Sequence, residues 1–156
     1  MFQSPSITRN KWRSSFLLST RKRAENENTD PILVHILLAG IRSYLTDEPF
    51  PSHECTQYSE PYQHLLRSQS SIGWDHLVRG RFSSLWADLQ HDFSFRTKPA
   101  LKFDPAKWHR KLVNPMLVEC HDLWILRNGE RHGTERRQQR TKRLEQLERD
   151  LRDLYQ

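Results

Sequence analysis

Arg127, Asn128 and His132 are the residues whose types and spacing could do chemistry on a phosphate. A guanidinium clamps phosphate oxygens through paired hydrogen bonds and keeps its charge at any physiological pH. An imidazole can take or give a proton near neutrality. Cleaving RNA without a metal needs a base for the 2′-hydroxyl and a cation for the charged phosphorane. Arg127 and His132 supply one of each, with Asn128 as a supporting polar group. In an unbroken helix five residues turn by about 140°. The pair therefore converges only if Gly129 breaks the helix or two chains each lend a motif. The plainer alternative is that Asn128 and Gly129 end the helix and His132 is a polar turn residue.

A second chemistry is phosphate binding without cleavage. Downstream of the cluster Arg131, Arg136, Arg137, Arg140, Lys142 and Arg143 form a basic stretch, and Arg21, Lys22 and Arg23 close an acid-free segment that begins at Met1. The formal charge of +6 and the isoelectric point near 9.6 point to a polyanion. Nucleic acid comes first, RNA ahead of DNA, and an anionic membrane surface second; charge kept for solubility alone is the bland alternative. The same composition lets residues 1–23 be read as an organellar transit segment, a phosphate-touching arm or a linker remnant. No cofactor or metal is expected. His53-x-Cys55 is half of a zinc site with no second pair, and His35 has no partner spacing.

The elements that must position these residues read as helices. Only 35% of residues are hydrophobic and the mean hydropathy is −0.86, so one domain with an economical core is expected. Five glycines in the whole chain disfavour a turn-rich β architecture. Thr29-Asp30-Pro31 is a helix start, followed by a helix over about 31–46 that is apolar nearly all round in its first half. Further helices are expected over 61–70, 83–94 and 105–127, the last with Asn114-Pro115 inside it, and a charged one over 134–154. Trp74, Trp86, Trp108 and Trp124 lie at helical spacings and should be largely buried; a base-stacking platform is the competing reading for Trp74, Phe82 and Trp86.

Leu144, Leu147, Leu151 and Leu154 repeat at three-four-three, which suits packing on the body or on a second copy in a homodimer. No apolar run reaches the roughly 20 residues that cross a bilayer, so no membrane role is expected. Two cysteines, Cys55 in a polar loop and Cys120 on a helix, suit a reducing, intracellular compartment, nuclear or cytoplasmic.

Two resemblances follow. Arg127-Asn128-x-x-x-His132-Gly133, after apolar Leu123 to Leu126, resembles the arginine-asparagine…histidine signature of HEPN domains. That likeness implies a helical bundle, metal-independent ribonuclease activity in a dimer, and Arg127 and His132 as the catalytic pair. A broader series runs Gln69-x-x-Ile72-Gly73-Trp74, Gly80-Arg81-x-Ser83-x-x-Trp86-x-x-Leu89-Gln90, Trp108, Leu112, Trp124, Arg127-Asn128, His132-Gly133 and Leu154-Tyr155. It is similar to an uncharacterised helical region of protist (diatom-like) and fungal retrotransposon-type open reading frames, downstream of reverse transcriptase. It implies an accessory module without polymerase chemistry.

The expected fold is all-α, a single bundle of about five helices with a long charged C-terminal helix. Residues 1–28 are expected as a basic flexible arm, within which Trp12 and Phe16-Leu17-Leu18 suggest a short helix docked on the body, 29–133 as the core domain and 134–156 as the charged helix. The leading function is a retroelement-derived accessory module binding RNA or DNA through phosphates. A HEPN-like endoribonuclease and a helical protein-interaction module are the alternatives.

Overall fold

The computed structural model describes the backbone of residues 5–132 and 136–154, and their side chains except at 5–9, 127, 130–132, 136, 137 and 154. Its architecture is all-α, with no strand among the described residues. The helices are α1 (Pro5–Asn26), α2 (Pro31–Thr46), α3 (Glu60–Ile72), α4 (Trp74–Leu77), α5 (Leu85–Thr97), α6 (Pro105–His132) and α7 (Arg136–Leu154), with a 3₁₀ turn at Ser52–Cys55. Among the described residues that makes seven α-helices where about five were expected. The additions are α1, which runs the length of an arm expected to hold only a short docked helix, and the single turn of α4. The chain divides into two compact units, Met1–Leu117 and Val118–Gln156, and the division falls inside α6.

Unit 1 is built around α2. Leu33, Val34, Ile36, Leu37, Leu38, Ala39 and Ile41 are buried on every side of it, so it needs neighbours all round. α1 packs along one side and α4 along another, while α3 packs on α4 and α5. The helical state of residues 5–26 has a local reason: Phe16, Thr20 and Ala24, four residues apart, form one buried stripe. Trp12 stacks on Phe16 with ring centroids 5.1 Å apart. The acid-free composition of the segment therefore belongs to the outer faces of a packed helix.

α2 and α4 approach closely because residue 40 is glycine. A Cβ there would meet the Trp74 ring at 2.5 Å, so any side chain would push that ring away. Trp74 stacks flat on Phe50 at 4.0 Å and stays half-buried, while Trp86 and Trp108 are fully enclosed. Trp124 departs from expectation: it is 60% exposed. The apolar stripe of α6 is buried at Trp108, Leu112, Val113 and Met116, all within unit 1. In unit 2 its continuation through Trp124, Ile125 and Leu126 is exposed, as are Leu144, Leu147 and Leu151 of α7. No helix among the described residues is long and apolar enough to cross a membrane.

Two buried polar knots tie unit 1 together. At the first, Asp30 caps α2 by accepting the Ile32 N–H at 2.9 Å, and its other oxygen accepts the Tyr62 hydroxyl from α3. Its own N–H donates to Gln90 Oε1 of α5 at 2.9 Å, and Gln90 Nε2 donates to the Asn28 carbonyl at 3.1 Å. Next to it Trp108 Nε1 of α6 donates to Thr29 Oγ1 at 3.1 Å. Burial, the bond to Asp30 and its charge push the Tyr62 hydroxyl up to about 12, so it remains a donor at physiological pH. At the second knot Gln69 Oε1 accepts both Ser83 N–H and Trp86 Nε1–H at 3.0 Å, and its Nε2 donates to the Arg81 carbonyl at 3.1 Å.

Because Asp30 combines a helix cap with a charge-assisted bond, Asp30→Ala should lower unfolding free energy by roughly 2–4 kcal/mol in urea titration. Tyr62→Phe should cost about 1.5–3 kcal/mol. The double variant should fall short of the sum, because the two changes remove one shared bond. Arg67→Ala, which breaks only the exposed pair with Glu60, should stay within about 0.5 kcal/mol. An Asp30→Ala chain as stable as Arg67→Ala would contradict this view of the junction.

Candidate nucleic-acid interface

α6 runs without interruption from Pro105 to His132, with Gly129 inside it. One glycine costs a helix about 1 kcal/mol, which neighbouring good helix formers can offset. On this continuous helix positions 127 and 132 lie about 140° apart around the axis. Position 127 shares its face with 131, and position 128 with 132. Gly129 therefore does not break the helix to bring Arg127 and His132 together, and only the second route, one motif from each of two chains, would assemble them. The side chains of Arg127, Arg131 and His132, and the whole of Gly133, lie outside the described residues; Asn128 is half-buried.

Of the basic residues expected to hold phosphate on α7, Arg140 and Arg143 are exposed and Lys142 is half-buried. The side chains of Arg136 and Arg137 lie outside the described residues. By helical register 136, 140 and 143 share one face, and Leu144, Leu147 and Leu151 continue it towards the C-terminus. On α1 Arg21 and Lys22 are exposed, whereas Arg23 is half-buried and turned towards α6.

Unit 1 contains a basic site that the linear sequence did not suggest. Two adjoining clefts of about 470 and 380 Å³ share Glu27, Lys107 and Lys111. Together they gather Arg23 from α1, Lys98 and Lys102 from the segment after α5, and Lys107, Arg110 and Lys111 from α6. Against these six cations stand two carboxylates, Glu27 and Asp104. Glu27 is engaged through both oxygens by Lys111 Nζ at 2.9 Å, and Asp104 accepts the Lys107 N–H at 3.0 Å as an α6 cap. Lys98 Nζ donates to Asn28 Oδ1 at 2.8 Å. The excess of positive charge suits a polyanion that supplies several oxygens at once.

A larger cleft, about 740 Å³ beside Tyr62, is a poorer phosphate site: Asp30 and Asp92 face a single Arg96, and Phe93, Phe95 and Leu89 supply much of the rest. Linear charge density missed the basic groove because its cations are scattered over residues 23–111 and alternate with core positions. The signal was present on α6 alone. Removing the buried Trp108, Leu112, Val113 and Met116 leaves Lys107, Arg110, Lys111 and Asn114 as a polar face.

His35, Cys55 and His109 are engaged within unit 1. His35 is held by the Tyr58 hydroxyl at Nδ1, with Glu54 3.7 Å from Nε2. Cys55 is buried, which pushes its thiol up, and its carbonyl accepts Gln63 Nε2 at 2.7 Å. Burial against Phe82 lowers His109. Among the described residues no three His, Cys, Asp or Glu side chains are placed to share a metal ion. No family model, curated protein or solved structure matches the chain.

Single-stranded RNA incubated with the purified chain in excess chelator should be recovered intact, because one α6 helix does not bring Arg127 and His132 to one face. Chelator-resistant cleavage that His132→Ala abolishes would overturn this expectation and require the two-chain arrangement.

Proposed function

We propose that this chain is a nucleic-acid-binding module, an accessory part of retroelement type, that holds the phosphate backbone with little base preference in its charge contacts. The observation that carries this reading is the convergence of Arg23, Lys98, Lys102, Lys107, Arg110 and Lys111 on one groove with two partly engaged carboxylates. Lys98, Lys102, Lys107, Arg110 and Lys111 are exposed, so the charge left after Lys111 pairs with Glu27 is available to an incoming strand and screened by salt. The basic face of α7, with Arg140 and Arg143, offers a second set of phosphate contacts, and Arg131, Arg136, Arg137 and Lys142 belong to the same stretch. The exposed Leu144, Leu147 and Leu151 suit pairing with a second copy, which would double the number of cations on one strand.

The broader resemblance fits this reading as a likeness of scaffold. Gln69, Ser83, Trp86, Gln90 and Trp108, which carry much of it, are the donors and acceptors of the two buried knots. They hold the groove without lining it, Trp108 excepted.

Binding of a labelled oligonucleotide should weaken steeply with salt. Lys107→Gln combined with Arg110→Gln and Lys111→Gln should lower the log–log salt slope by about two, since each lost contact to a single strand removes about 0.7. Binding that ignores salt, or a triple variant with wild-type slope and affinity, would contradict the groove as the phosphate site.

A further inference from the structure

The two lobes of the groove differ in kind. One is lined by Arg23, Lys107, Arg110 and Lys111 with Glu27, Asn26, Asn114 and Pro115, and no aromatic ring lines it. The other adds Phe103, Leu101 and Trp108 to Lys98, Lys102, Lys107 and Lys111, with Glu27 and Asp104 as its carboxylates. Trp108 is spent on the fold, since it is enclosed and bonded to Thr29. Phe103 is half-buried, and its ring neighbours His91 and Trp108 meet it at tilts of 58°, with centroids 6.0 and 6.1 Å away. Neither neighbour covers it by flat stacking. Leu101, 65% exposed, lines the same lobe, in a turn closed by its N–H to the Lys98 carbonyl at 3.0 Å.

A charged lobe beside an aromatic one matches the two halves of a nucleotide. Phosphates are held by cations, and an unpaired base is held by a ring on which it stacks. A duplex keeps its bases stacked inside and offers both lobes only phosphate and sugar. The aromatic lobe, about 380 Å³, is in the size range of pockets that enclose a small organic ring system. We propose that the groove takes a single-stranded polynucleotide, with one base in the Phe103 lobe and the adjoining phosphates on Lys107, Arg110 and Lys111. This rests on the nucleic-acid reading above and adds a strandedness to it. Stacking tolerates any base, so the groove distinguishes an exposed base from none and makes little choice among the four.

The test uses the full chain and three labelled probes of equal length: a single strand, its duplex, and a fully abasic strand with the same phosphates. Fluorescence anisotropy at one fixed salt concentration should show the single strand binding roughly 5- to 100-fold more tightly than the abasic strand. The duplex should bind much as the abasic strand does. Phe103→Ala should erase the single-strand advantage while leaving abasic affinity unchanged, a result that also shows the groove still folded, and Phe103→Trp should restore the advantage. Equal affinity for all three probes would overturn the base lobe and leave the phosphate reading standing; no binding to any probe would overturn both. Phe103→Ala weakening all three equally, or Phe103→Trp behaving like Phe103→Ala, would assign Phe103 to the fold and overturn the proposal.

Discussion

The buried carboxylate of Asp30 is the constraint on which unit 1 depends. A carboxylate removed from water costs several kcal/mol unless its oxygens are satisfied. Here one oxygen accepts the first-turn N–H of α2, the other accepts Tyr62 from α3, and the residue's own N–H reaches Gln90 on α5. Those demands fix three helices about one point. Asn28, in the left-handed region at φ +51°, turns the chain out of α1 into that point, and its carbonyl is taken by Gln90. Thr29, between them, accepts the Trp108 indole N–H and so adds α6. The hydrophobic faces supply the bulk of the driving force, but they would tolerate several relative rotations; the directional bonds at residues 28–30 select one.

The groove follows from that selection. Arg23 lies in the last turn of α1 and Glu27 just past its end, immediately before the fixed junction, while Lys107 and Lys111 flank Trp108 on α6 by one and three residues. Once Trp108 is bonded to Thr29, those cations have to face the end of α1. Glu27 pairs with Lys111 and moderates what would otherwise be a cluster of like charges, each of which would raise the cost of folding. A polyanion bound there would relieve the remaining repulsion, so ligand binding and stability should be coupled through the same side chains.

Much of this fold was legible in the sequence because it is periodic or punctuated. Thr29-Asp30-Pro31 marks the start of α2, Asp104-Pro105 that of α6, and the spacings of Trp86 and Trp108 place them in the core. Gln69 and Gln90 were not legible as buried residues, because a glutamine has no periodic signature and its value depends on which carbonyls and N–H groups the topology presents. Of α1 only a short docked helix at Trp12 and Phe16-Leu17-Leu18 was legible, because the buried stripe of Phe16, Thr20 and Ala24 is outweighed in composition by the six cations of the segment. Trp124 shows the opposite failure. Its spacing is as regular as that of Trp108, yet periodicity gives a face and not its cover, and in unit 2 that face is exposed. Net charge pointed to a polyanion only as a class of partner; the basic groove was not legible, because its cations come from three segments that only tertiary packing unites.

The most direct measurement of where nucleic acid sits is lysine acylation of the full chain, read by mass spectrometry with and without a saturating single-stranded oligonucleotide. Lys98, Lys102, Lys107 and Lys111 should all lose reactivity together when the strand binds, by several-fold more than Lys11 of α1, which lies outside both clefts. Unchanged reactivity at these four lysines under saturating strand would contradict the groove as the binding site, and protection confined to Lys142 would move the interface to α7.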